Sequence, residues 1–202
     1  NYLQDWAMQN TSKDVVRSHA PSVQDYSHII DHMLRFAGMP TSIAASMTSF
    51  GTSPDDDAFS ATMKFANGAT GTLEASRYSM GWKGNQRIEL NGSKGSVWWN
   101  MEDPNMMHLF LKKDADAGYG GFRSVLMSEE NHPFVKGWWT PGHVYGWEHS
   151  FAHQWRAFLN AHIEGKSLDP YQASLVDGAR VADVCEAITQ SAKEQKHIKL
   201  LD

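Results

Sequence analysis

The chemistry open to this chain rests first on imidazole and indole: ten His and eight Trp occur in 202 residues. Imidazole titrates near neutrality, so a well-placed histidine can take a proton at working pH. His28 lies in a helical stretch and, read alone, is either such a base or a histidine at the edge of a core. A second group gathers His132, Trp138, Trp139, His143, Trp147, Glu148, His149 and His153. His149 and His153 stand one helical turn apart, a spacing that can hold a metal. The pattern is not H-E-x-x-H and no third ligand is suitably spaced, so no metal site is expected. Asp55-Asp56-Asp57 lacks the glutamate of a calcium loop and reads as a solvated turn. No Ser or Cys has the setting of a nucleophile, and Cys185 reads as a small core residue on a helix. Arg77 is open to two readings, a pocket residue or a sheet-edge ion pair.

The elements that position these groups follow from periodicity and turn chemistry. Tyr2 to Met8 reads as a first strand. Tyr26, Ile29, Ile30, Met33, Leu34 and Ala37 recur at helical steps, predicting a helix from Gln24 to Ala37. Gly38 followed by Pro40 ends it. Ala58 to Phe65 and Ala69 to Tyr78 flank Asn67-Gly68, a hairpin turn. Gln86–Leu90 and Ser96–Trp99 flank a second turn, Asn91 to Gly95, and strands follow at Met107–Lys112 and Phe122–Met127. Helices are predicted over Tyr145–Glu164, with Trp147, Phe151, Trp155, Phe158 and Leu159 on one stripe, and over Gln172–Lys193. The tail Lys196–Leu200 adds an edge strand. This order predicts an α+β domain: an open-faced, mainly antiparallel sheet of about six strands with helices on one face. Gly118-Tyr119-Gly120-Gly121 lies between strands, outside the strand–loop–helix context of a dinucleotide site, so no Rossmann domain is present.

Composition narrows the class further. The chain is 41% hydrophobic and 20% charged, as in a globular protein, and its length fits a single domain over residues 1–202. A net charge of −5 without a basic block argues against nucleic acid. Its apolar runs are too short to cross a membrane, the N-terminus lacks a signal-peptide pattern, and one cysteine forms no internal disulfide; a cytoplasmic setting is expected. Trp98 and Trp99 on an uncovered sheet face would mark an interface.

Taken in order, several pieces resemble one family. They are Tyr2-Leu3-Gln4-Asp5-Trp6, His28-x-x-Asp31 on a helix closing at Gly38, and Phe65-x-Asn67-Gly68-Ala69-x-Gly71-Thr72. Glu74-Ala75-Ser76-Arg77, Gly92-Ser93-Lys94-Gly95-Ser96, Pro141-Gly142-His143, Gly146-Trp147-Glu148-His149 and Asp177-Gly178 follow. Together they resemble the C-terminal domain of the Gfo/Idh/MocA oxidoreductases, relatives of glucose-fructose oxidoreductase and inositol dehydrogenase.

The resemblance implies a substrate-binding and oligomerisation domain of a NAD(P)-dependent sugar or polyol oxidoreductase. NAD or NADP would bind a separate Rossmann domain, so no cofactor is expected on this chain alone. His28 matches the family's catalytic histidine. The family places an aspartate one turn earlier; here that position is Gln24, with Asp25 next to it as a substitute. His143 and Glu148 would hydrogen-bond sugar hydroxyls, Trp138 or Trp139 would stack on the ring, and Arg77 is a further candidate contact. A homo-oligomer would form through the open sheet face. The alternative is a non-catalytic carbohydrate-binding or dimerisation module without a cofactor domain, which Gln24 favours.

Overall fold

From Ala58 to Phe65 burial alternates residue by residue: Phe59, Ala61, Met63 and Phe65 point inward, while Ser60, Thr62 and Lys64 are exposed. That alternation is what a strand with one wet face requires. The computed structural model describes residues 2–3, 23, 26–50, 56–166 and 172–200. Within them the chain order is β1 (Tyr2–Leu3), α1 (Ser27–Ala37), β2 (Pro40–Thr48), β3 (Ala58–Phe65), β4 (Thr70–Ser76), β5 (Asn85–Gly92) and β6 (Gly95–Asn100). Then come β7 (Met106–Leu111), α2 (Lys112–Asp116), β8 (Arg123–Leu126), α3 (Trp147–Glu164), α4 (Leu175–Glu194) and β9 (Ile198–Lys199). The fold is an open α+β sheet structure, as expected, with nine strands rather than about six. The sequence predicts strands at both ends, β1 over Tyr2 to Met8, of which positions 4–8 lie outside the described residues, and β9 in the tail. A strand it does not single out, β2, is built from Pro-Thr-Ser-Ile-Ala-Ala-Ser-Met-Thr, where small and hydroxyl side chains blur the period-two signal.

The chain divides into two compact units, Asn1–Gln86 with Leu175–Asp202, and Arg87–Ser174. In the first, strands run in the order β1-β4-β3-β2-β9. β1 lies parallel to β4, and the other neighbours are antiparallel. Register places Ile43 opposite Met63, and Ala61 opposite Leu73, so one face gathers the apolar set. Ile29 and Ile30 of α1 and Val184 and Ile188 of α4 join the same buried cluster. Gly71 permits the close approach of α1: a Cβ there would meet Phe65 Cε2 at 3.2 Å and Met33 Cε at 3.4 Å. The other face of this sheet carries Ser60, Thr62, Lys64 and Glu74, all exposed and polar. Ser191 fastens α4 to β2, accepting from Ala45 N–H at 2.9 Å and donating to Lys196 O at 2.7 Å.

The second unit is a meander of β5, β6, β7 and β8, every neighbour antiparallel. Opposed residues share a face, so Glu89, Trp98, His108 and Ser124 form one row and Ile88, Trp99, Met107 and Val125 another. Trp98 and Trp99 therefore do not share an open face, because successive side chains on a strand point to opposite sides. Trp98 stacks on His108 with centroids 3.5 Å apart, and the Arg87 guanidinium lies 4.4 Å from its ring. Trp99 lies in the apolar row, its Nε1–H donating to Pro104 O at 2.9 Å. The turn between β5 and β6 depends on Gly95: its φ is +157°, and a Cβ would stand 2.2 Å from Phe110 O. Helix α3 forms as expected but buries none of its residues, and Trp147, Phe151, Trp155 and Phe158 of the apolar stripe stay exposed.

Candidate functional site

In the first unit, α1 turns Ile29 and Ile30 into the core, and this rotation leaves His28 exposed. The helix starts at Tyr26, which is fully buried, and ends at Gly38, whose N–H returns to Leu34 O at 2.9 Å. The face bearing the candidate base is thus set by residues on the opposite side. Gln24 and Asp25 lie outside the described residues. One turn beyond His28 is His32, which the sequence reading passed over; it is half-buried, and its Nδ1 is buried with no partner among the described residues. Burial lowers its pKa and the charge of His28 lowers it further, while Asp31 acts in the other direction.

Arg77 is buried at the end of β4, with its backbone N–H donating to Asp57 O at 3.0 Å. Asp57 corrects the reading of the acidic run as a solvated turn. Its side chain is buried, and Oδ2 accepts from Phe50 N–H at 2.8 Å, tying down the chain that enters β3. Asp55 lies outside the described residues.

In the second unit, Trp138 is the centre of an aromatic and imidazole group. Its Nε1–H donates to His153 Nε2. Its ring meets His149 edge-on at 4.3 Å between centroids, and Phe134 stacks on His153 at 4.9 Å. Tyr145 packs beside His149 at 5.5 Å. Asn105 holds Tyr145 in place, donating to its O and accepting from its N–H, both at 2.8 Å. His149 Nδ1 accepts from Gly146 N–H at 3.1 Å at the start of α3. The two helical histidines that looked like a metal pair are thus engaged by N–H donors. Among the described residues no group of three or more His, Cys, Asp or Glu is placed to hold a metal ion.

The other expected contacts do not join this group. Trp139 is 92% exposed, and His143 is exposed with Nδ1 3.1 Å from Thr140 Oγ1. Glu148 is exposed too, its carboxylate folded back over Gly146. Phe134, Tyr145 and Asn105 were missed by sequence reading. Asn105 and Tyr145 are 40 positions apart, and no local pattern connects them.

Burial lowers the His153 pKa, with His149 and Arg156 adding to the effect. With His32 it sets a pH dependence. The unfolded chain binds protons that the folded one refuses between the lowered values and the ordinary 6.5. Stability is therefore fullest above that value and falls as pH drops through the window. Urea midpoints at about pH 7.5 and about pH 5 should show the loss, and His153→Gln should shrink it. Equal midpoints at the two pH values would contradict this.

The mixed open sheet with its helices defines an α+β domain. Residues 18–200 match the oxidoreductase family C-terminal alpha/beta domain, and the chain belongs to this Gfo/Idh/MocA family. It is 31% identical over 144 residues to levoglucosan dehydrogenase of Pseudarthrobacter phenanthrenivorans, covering 71% of this chain and 36% of that protein. An oxidoreductase domain protein from Kribbella flavida superposes with a TM-score of 0.87 at 32% identity, covering all of this chain and 57% of that one. A levoglucosan dehydrogenase in complex with NADH and levoglucosan gives 0.87 at 27% identity, over 98% of this chain and 57% of its own. The chain thus spans little more than half the length of these solved relatives.

Proposed function

We propose that this chain is the substrate-binding and oligomerisation domain of a NAD(P)-dependent sugar or polyol oxidoreductase, with His28 as the base. The observation that carries the reading is His28 itself. Within a chain belonging to this family, an imidazole is held outward on α1 by a helix face committed to the core. Its ring accepts the hydroxyl proton as the hydride leaves the same carbon for nicotinamide on a separate nucleotide-binding domain. The relative that binds NADH and levoglucosan supports NAD and a sugar. His143, Glu148, Trp138, Trp139 and Arg77 remain the candidate substrate contacts, with Gln24 or Asp25 beside the base. Buried Arg77 and half-buried Trp138 would act by holding structure, and exposed His143, Glu148 and Trp139 by direct contact. No described helix is long and apolar enough to cross a membrane. Cys185 is a buried free thiol, pushed up to about 11 by burial, which suits a cytoplasmic setting.

The first experiment is the intact mass of the protein from its source cells, followed by NAD(P) reduction with a sugar panel. A mass well above 22.6 kDa with sugar-dependent reduction supports the reading. A mass of 22.6 kDa without activity favours the non-catalytic carbohydrate-binding or dimerisation module, the reading that Gln24 supports.

For self-association the second unit supplies the apolar row, Ile88, Leu90, Val97, Trp99, Met107 and Leu109, while the wet face of the first unit is polar. Trp99→Glu should shift sedimentation toward monomer, since a buried carboxylate without a partner opposes association. A wild-type protein that sediments only as monomer removes this part of the reading.

A further inference from the structure

His32 sits one turn after His28 on α1, so their Cβ atoms lie about 6 Å apart on one helical face. The charge of His28 acts on it. Its Nδ1 is buried with no partner among the described residues. A lone pair is the cheaper group to leave unpaired in such a place, because orphaned buried N–H groups are rarer than under-satisfied acceptors. That asymmetry assigns the proton of neutral His32 to Nε2, and burial favours the neutral ring. Two imidazoles one turn apart then differ, an exposed ring at position 28 and a half-buried ring at position 32 that offers a fixed donor.

We propose that His32 determines specificity at the site His28 serves: its Nε2–H donates a hydrogen bond to the substrate oxygen beside the hydroxyl that His28 deprotonates, selecting vicinal diols over isolated alcohols. The proposal rests on the reading of His28 as the base. A site built to bond a neighbouring hydroxyl discriminates strongly against an analogue lacking it, because the buried donor then goes unpaired.

The tautomer is read first, from histidine ring ¹⁵N shifts of the labelled protein. An Nε2–H ring at position 32 is expected, and an Nδ1–H ring overturns the proposal. The second readout crosses mutation with substrate in the complete protein, using levoglucosan and its monodeoxy analogues. Wild type should lose at least about 10-fold in kcat/KM with one analogue. His32→Leu should bring that ratio near one, and His32→Gln, which keeps an N–H donor, should restore part of it. Thermal melting identifies any variant that fails to fold, in which case His32→Gln and the tautomer decide. An unchanged ratio in folded His32→Leu, with His28→Asn inactive, overturns the role of His32 and leaves the base in place. Full activity in His28→Asn removes the reading of the base and this proposal with it. The absence of turnover of any of these sugars by wild type also counts against both.

Discussion

Replacing His28 by asparagine should lower sugar-dependent NAD(P) reduction by the complete protein about 10²- to 10⁴-fold, the usual contribution of a positioned general base. The loss should fall on kcat and kcat/KM together, since proton acceptance develops in the transition state rather than in binding. Stability should hold within about 0.5 kcal/mol, because His28 is exposed and packs nothing into the core. That pairing of a large kinetic loss with an unchanged melt separates a catalytic role from a structural one. Steady-state kinetics over a range of pH, with a melting curve for each variant, would read it. Activity within about threefold of wild type would sink the assignment of His28.

Tyr26→Ala should have the largest effect on stability, a loss of about 3–5 kcal/mol. Tyr26 is 0% exposed and begins α1. Its ring stands edge-on to Tyr2 at 4.9 Å and tilted to Phe59 at 6.1 Å, so it joins helix to sheet at the point where α1 enters. Truncation removes the apolar area and leaves a cavity among side chains that strands hold in place. A domain of this size has roughly 5–15 kcal/mol of total stability, so the variant sits close to unfolding. Urea unfolding followed by far-UV circular dichroism measures the change. A loss below about 1 kcal/mol would show that the junction tolerates truncation.

These two residues lie two positions apart and were legible to different degrees. The period of Tyr26, Ile29, Ile30 and Met33 predicts both the helix and its buried face, and the same geometry forces His28 outward. The role proposed for the imidazole came from the ordered resemblance to the family, since a helix histidine alone carries no assignment. His32 has the same residue type on the same helix, yet its half-burial depends on what packs against α1, which no window of sequence contains.

Local sequence determined the three long helices, the Asn67-Gly68 hairpin between β3 and β4, and the alternation along β3, but not the short α2 at Lys112–Asp116, where Lys112 reads as strand. These are properties of neighbours along the chain, where propensity, capping and period act over a few residues. The expectation that Trp98 and Trp99 share an open face fails, because a strand turns consecutive side chains to opposite faces. Tertiary structure alone decided the rest. It took Asp57 out of solvent to hold Phe50 N–H, and it engaged His153 with Trp138 where spacing had hinted at a metal pair. It set Asn105 against the backbone of Tyr145. It made a strand of Pro40–Thr48, whose small residues carry little pattern but pair along β3. Each outcome depends on groups distant in sequence meeting with complementary donors, acceptors or surfaces, and that information appears only once the chain has folded.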